Sequence, residues 1–325
     1  MWIIRKDRNT DMSQTISTRD MTREEWLELR RRGIGGSDAS VIMRKNPYRS
    51  ALALWEEKTG RRPVGGTENE YTYWGNVMEP IIRKEFSKRT GLKVRQKHAM
   101  ILHPKYPFLF ADLDGIVTDA DGKKCIFEAK TVSQYQEDQW EDGIPEEYML
   151  QIQHYMEVCG MDKTYIAGLI GGNRFVFYEV DRNDSLIEEL IAAEVSFWND
   201  NVLADKRPEV DGTSATTTFL NQKYGQAVPD CIALPQQMKE VLDRYEDVSR
   251  SLSELETQKT ALANQLKDAL QEHEKGEVDG RIVSWKKIQK MSFDSGKFRK
   301  EKPELYSQYQ KDSSYRRFTI EKSAA

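Results

Sequence analysis

The stretch that most restricts the fold is a pair of short apolar runs, Phe110-Ala-Asp-Leu-Asp-Gly-Ile-Val117 and Cys125-Ile-Phe-Glu-Ala-Lys-Thr131, separated by Asp119-Ala-Asp-Gly122. Apolar residues on both sides of an acidic, glycine-ended turn predict a β-hairpin over Val117 to Glu128. Side chains alternate along a strand, so Glu128 and Lys130 share one face of its second arm. Asp114 falls at the end of the other apolar run.

Two carboxylates can hold a hard cation such as Mg²⁺, which takes oxygen ligands. A lysine beside them can orient or deprotonate a water, the minimum equipment for metal-assisted phosphodiester cleavage. Spacing alone does not single out this set. Glu56-Glu-Lys58 and Asp121-Gly-Lys123 fit the same loose acid-x-lysine pattern, and 31% of the chain is charged. The hairpin context is what separates Glu128-Ala-Lys130 from them.

A chain of 325 residues leaves room for one large domain with an appendage, or for two. No run approaches the 18 or more apolar residues of a membrane span, and the first residues lack a basic-then-apolar leader pattern. Cys125, Cys159 and Cys231 are scattered, which excludes a disulfide framework or iron–sulfur cluster and fits a reducing cytoplasm. His98, His103, His154 and His273 are too dispersed to suggest a zinc enzyme. The net charge of -4 conceals an asymmetry: residues 1–62 and 276–325 each carry +5, and the middle carries -14.

Residues 1–20 are polar and expected to be flexible. Thr22-Arg-Glu-Glu25 is a capping box opening a helix to about Arg32. After the turn Gly33-Ile-Gly-Gly-Ser-Asp38, Ser37 is expected to cap a helix over 39–43, and Ser50 one ending at Lys58. Residues 67–75 read as loop, and Asn76 as a helix start with Pro80 in the first turn and Gly91 at the end. Strands near 93–102, 108–117 and 124–131, a helix from Glu146 to Cys159, strands near 164–170 and 174–180 and a helix from Asp184 to Asn201 make an α/β unit over 21–207. Residues 208–275 read as a linker and a long helix, Gln236 to His273, with coiled-coil-like 3-4 spacing. Residues 276–325 read as a small basic α/β module with strands at 281–287 and 315–320. There Trp285 and Tyr315 alternate with Lys286, Lys287, Arg316 and Arg317, a combination suited to nucleic acid.

Three features join the hairpin. Glu79 offers another carboxylate. The glycine turn, preceded by Arg30-Arg-Arg32, offers backbone N–H groups and guanidiniums to an anion. Gln151 and Tyr155 share a helix face. In this order, Arg32-Gly-Ile-Gly-Gly-Ser-Asp38, Asn46-Pro-Tyr48, Trp74-Gly-Asn-Val-Met-Glu79, Leu113-Asp-Gly115, Phe127-Glu-Ala-Lys130 and Gln151-Ile-Gln-His-Tyr155, the text resembles the YqaJ-type viral recombinases. These are relatives of phage lambda exonuclease within the PD-(D/E)xK nuclease superfamily. The likeness covers roughly residues 20–205, and Lys302-Pro-Glu-Leu-Tyr306 with Ser314-Tyr-Arg-Arg-Phe318 is similar to the C-terminal module of longer phage members.

The resemblance implies a restriction-endonuclease-like core, a central mixed sheet flanked by helices. It implies a Mg²⁺-dependent exonuclease, Mn²⁺ substituting, that digests linear double-stranded DNA 5′ to 3′ and leaves single-stranded tails. Asp114, Glu128 and the Ala129 carbonyl are then the metal ligands, Lys130 positions the attacking water and Glu79 supports the site. Arg30 or Arg32, with Ser37, Gln151 and Tyr155, contacts substrate phosphate. The implied partners are DNA ends, a single-strand annealing protein and further copies of the chain, as in a trimer. The implied setting is the cytoplasm of a bacterial host of a phage or prophage. An endonuclease of the same superfamily and a non-catalytic DNA-end-binding scaffold stay open, though an intact Asp–Glu–Lys set speaks against the scaffold. Asp112 stands where the family usually has a neutral residue; it either binds metal or adds repulsion beside Asp114.

Overall fold

The computed structural model describes residues 14–64 and 70–321. The chain divides into two compact units, Met1–Gly225 and Gln226–Ala325. The first runs β1 (Gln14–Ser17), α1 (Arg23–Arg31), β2 (Ile34–Gly35), α2 (Gly36–Ile42), α3 (Ala51–Lys58), α4 (Glu70–Thr90), β3 (Val94–Arg95), β4 (Ala99–Leu102), β5 (Leu109–Asp112), β6 (Gly115–Thr118) and β7 (Lys124–Val132). A 3-10 segment (Gln134–Trp140), α5 (Glu146–Cys159), β8 (Lys163–Ile170), β9 (Arg174–Asp181), α6 (Asp184–Ser196) with a π-helical extension (Phe197–Leu203) and α7 (Ser214–Lys223) follow.

A five-stranded mixed sheet has the order β3-β6-β7-β8-β9, in which only β7 and β8 run parallel. A four-stranded sheet has the order β1-β4-β5-β2. The chain passes from one sheet to the other through Leu113 and Asp114, between β5 and β6. The expected α/β architecture, mixed sheet with flanking helices, is therefore observed.

Period-2 patterning in β7 divides the core. Phe127 and Cys125 face α4, where Phe86 and Ile82 meet them, and the Phe86 and Phe127 ring centroids lie 4.9 Å apart. Ile126, on the opposite face, joins Ile152 and Met156 of α5 in the larger core. Glu128 and Lys130 continue the Ile126 face and so turn toward α5. The β6–β7 turn is held by Asp119, whose Oδ1 accepts the N–H groups of Asp121 (3.0 Å) and Lys123 (2.8 Å). The Thr22–Glu25 capping box forms, and α5 spans Glu146–Cys159 as its pattern predicts.

Several boundaries differ from the sequence reading. Of the segment expected to be flexible, residues 1–13 lie outside the described residues, and Gln14–Ser17 are β1, paired antiparallel with β4. Part of the expected loop 67–75 also lies outside the described residues, but α4 begins at Glu70, so Pro80 is inside the helix and not in its first turn. Pro80 has no N–H to give the Asn76 carbonyl, a local deficit that flanking turns outweigh. Gly35, not Ser37, occupies the cap position of α2, and the Asp38 carboxylate accepts the Gly35 N–H at 3.1 Å. The first unit runs past Arg207 because α7 packs back on it, Phe219 against Leu52 and Ala53 of α3.

The second unit contains α8 (Met238–Leu270), the hairpin β10 (Lys275–Val278) and β11 (Arg281–Ser284), α9 (Ser295–Glu301) and α10 (Pro303–Gln308). The strand expected at 315–320 does not form; instead the Phe318 ring meets Tyr245 of α8 at 5.8 Å. Among the described residues no helix is long and apolar enough to cross a membrane.

An interaction with no sequence signal ties α5 to α6. His154 is fully buried, its Nδ1 donating to Glu194 (2.8 Å) and its Nε2 to the Phe110 carbonyl (3.0 Å). Burial disfavours the imidazolium, but Glu194 and the carbonyl outweigh it and raise the His154 pKa. Glu194→Ala is expected to cost about 3–5 kcal/mol, the penalty for orphaning a buried partner. Because the folded His154 pKa is raised, this stabilisation is present at and below the unfolded value of about 6.5, until Glu194, whose own pKa burial raises, takes up a proton at lower pH. It fades as pH rises through the folded value, so urea titrations of both proteins should show a smaller difference at high pH.

Candidate active site

Strand register assembles the acidic centre. Gly115 of β6 pairs with Phe127 of β7, so one step beyond the paired ladder Asp114 stands across from Glu128. Asp114 Oδ2 accepts the Ala129 N–H at 2.8 Å. Glu128, buried on the middle of the sheet, accepts at Oε1 from Lys130 Nζ (2.7 Å) and from Gln151 Nε2 (2.7 Å). Gln151 completes the ring, its Oε1 accepting from Lys130 (2.9 Å) and its Nε2 reaching the Tyr155 hydroxyl (3.1 Å). Lys130 also lies over the Tyr148 ring, 4.9 Å from its centroid.

Of these groups, Asp114, Glu128, Gln151 and Tyr155 line a cleft of about 530 Å³, together with Arg30, Ser37, Glu79 and Asp112, among others. Burial, then the Asp114 charge, pushes Glu128 up to about 8; the same two causes push Glu79 up to about 7. Burial also raises Asp114. Burial works to lower Lys130, yet Glu128 and Asp114 outweigh it and raise its pKa. Glu79 pairs with Arg83 one turn along α4.

The donor set fits a hard cation. Glu128 Oε2 is buried without a hydrogen-bond partner, an arrangement that costs free energy unless something positive meets it. Among the described residues no three acidic, histidine or cysteine side chains close on one point. Two carboxylates plus waters is nevertheless a common arrangement for Mg²⁺.

Beside the acids lies a wall that carries Trp26, Arg30 and Ser37. Arg30 donates to Ser37 Oγ at 2.7 Å, and its guanidinium lies 4.9 Å from the Trp26 ring centroid. Arg32 is not brought to the cleft; it is exposed and donates to Glu28 at 3.0 and 3.1 Å. The three glycines of the turn are required by close approach, Gly35 against the Phe110 ring. A Cβ on Gly33 would run into the Phe108 carbonyl, and one on Gly36 would lie 2.5 Å from Tyr155 Cε1.

Below the turn is a buried ionic cluster that the sequence reading missed. Asp38 is met by Lys58 (2.7 Å) and Arg49 (2.9 Å), and Lys58 donates to the Arg30 carbonyl at 2.8 Å. Burial opposes ionisation of Asp38, but the three cations around it hold it well below the usual carboxylate range. Burial brings Lys58 down to about 8. The cluster fixes the turn and the backbone of Arg30. Its one sequence trace is an aspartate in a turn otherwise suited to an anion.

Comparison with known proteins adds three findings. Residues 25–162 match the profile of the YqaJ-like viral recombinase domain. The chain is 40% identical over 305 residues to the uncharacterised protein YqaJ of Bacillus subtilis (strain 168), covering 93% of this chain and 95% of that one. Among solved structures, LHK-Exo, an alkaline exonuclease from Laribacter hongkongensis, in complex with dAMP is 21% identical, with a TM-score of 0.49 over 62% of this chain and 98% of that one.

Overpacking at the turn gives a direct check. Gly36→Ala is expected to cost about 1–3 kcal/mol in urea unfolding, and to disturb Tyr155 and with it Gln151. Gly212→Ala, where the added methyl meets nothing within 4 Å, should stay within about 0.5 kcal/mol.

Proposed function

Because the chain belongs to the YqaJ-like viral recombinase family, we propose that it is a Mg²⁺-dependent deoxyribonuclease. It digests linear double-stranded DNA from its ends, 5′ to 3′, and leaves single-stranded tails for recombination. The observation that carries this reading is the split in the environment of Glu128. One oxygen is saturated by Lys130 and Gln151, and the other is buried and unpartnered.

Asp114, Glu128 and the Ala129 carbonyl would hold the metal. A divalent cation there supplies Lewis-acid polarisation of the scissile phosphate. The remaining work belongs to the chain. Lys130, held between Glu128 and Gln151, positions the attacking water on the Glu128 side of the cleft. Arg30 and Ser37 hold a phosphate of the DNA end, and Gln151 and Tyr155 fix the orientation of Glu128. Glu79 contributes charge from the α4 wall. An annealing protein that pairs the tails, and a trimer or other closed ring of copies around the duplex, belong to the same reading.

Linear duplex labelled at one 5′ or 3′ end, with and without a terminal phosphate, should be shortened from its 5′ ends in Mg²⁺, while closed circles persist. Lys130→Ala and Glu128→Ala should each lower the rate by at least about 10²–10⁴-fold, the range of a lost proton-handling group, with circular dichroism unchanged. Undiminished digestion by either variant would remove the assignment.

A further inference from the structure

We propose that Asp112 is a positioning residue for the phosphate-binding arginine, acting through Trp26, and not a third metal ligand. The inference rests on the reading of the cleft as a DNA-end site and assigns the acid whose role the sequence left open.

Asp112 is the last residue of β5, two residues before Asp114. Its Oδ2 accepts the indole Nε1–H of Trp26 at 2.8 Å, a contact between residues 86 apart in the chain. Trp26 and Arg30 lie at i and i+4 on α1 and therefore on one face of the helix. The Arg30 guanidinium is 4.9 Å from the Trp26 ring centroid and 6.0 Å from that of Phe110, on the strand that carries Asp112. One of its nitrogens donates to Ser37 Oγ at 2.7 Å. Arg30 is thus framed by two rings and a hydroxyl, with its remaining donors available to an anion.

An indole held only by stacking can turn about its side-chain bonds. The in-plane bond to Asp112 removes that freedom, so the ring, and the cation lying on it, keep one orientation. Asp112, Trp26, Arg30 and Ser37 all line the same cleft as Glu128. The carboxylate sets where Arg30 can place its charge, and the chemical group this selects is the terminal phosphate of a DNA end over a terminal hydroxyl.

The test is binding of the full chain to a duplex carrying either a 5′-phosphate or a 5′-hydroxyl, followed by fluorescence anisotropy in Ca²⁺ without Mg²⁺. The wild type should prefer the phosphate end. Asp112→Ala should reduce that preference about tenfold, roughly one charge-assisted hydrogen bond misplaced. Asp112→Asn, whose amide oxygen still accepts the indole N–H, should restore most of it. Trp26→Phe, which keeps a ring and loses the donor, should resemble Asp112→Ala and serves if that variant does not fold. In an Arg30→Gln background, Asp112→Ala should have no further effect on the preference. The inference is overturned if Asp112→Asn is as damaging as Asp112→Ala and also weakens Mn²⁺ binding measured by calorimetry. It is equally overturned if the wild type shows no end preference, or if the Asp112 and Arg30 effects simply add. Should the preference behave as expected while no DNA is cleaved in Mg²⁺, the nuclease reading falls and the positioning role stands.

Discussion

The pairing register between β6 and β7 brings Asp114 and Glu128 face to face at the point where the chain leaves one sheet for the other. A one-residue slip would send Glu128 and Lys130 to the opposite face, among the phenylalanines under α4. Two carboxylates placed this way repel, and the Asp114 charge adds to burial in raising the proton affinity of Glu128. The fold accepts that cost by supplying Lys130, Gln151 and the Ala129 N–H around them. Groups kept this far from their ordinary ionisation in a cleft are more often found where chemistry is done than where structure is held.

The side of the cleft that carries Arg30 is built on a different principle. There the charges that matter for architecture are hidden, with Asp38 joined to Lys58 and Arg49 below the glycine turn, while Arg30 is presented above it. α1, α2 and α3 each contribute to that cluster, so its removal would loosen three elements at once. α5 links the two halves. It brings Gln151 and Tyr155 to the acids, and His154, between them in sequence, anchors the helix to α6 and to the β5 backbone.

Features governed by local rules were legible in the sequence. The Thr22–Glu25 box, the Ser50 cap, α5 and the Glu128–Lys130 face all follow from spacing over a few residues. Features that depend on long-range partners were not. β1 is too short to show a pattern and exists because β4 offers it an edge. α7 reads as a polar, threonine-rich linker until Phe219 finds α3. The start of α4 was hidden by Pro80, which normally marks a helix beginning. Lys58 belongs to Glu56-Glu-Lys58, one of the loose matches to the acid-x-lysine pattern, and proves to serve the buried cluster under Arg30. Nothing in the one-dimensional text joins Asp112 to Trp26.

The seclusion of the Asp38–Lys58 pair bears on ionic strength. Mobile ions screen exposed charges over about 8 Å at physiological salt but reach buried pairs far less. On the proposed function, added salt would compete with a polyanion for Arg30 and the open mouth of the cleft, while the frame beneath Arg30 is screened far less. Under that proposal, substrate capture weakens in brine without the pocket losing its shape.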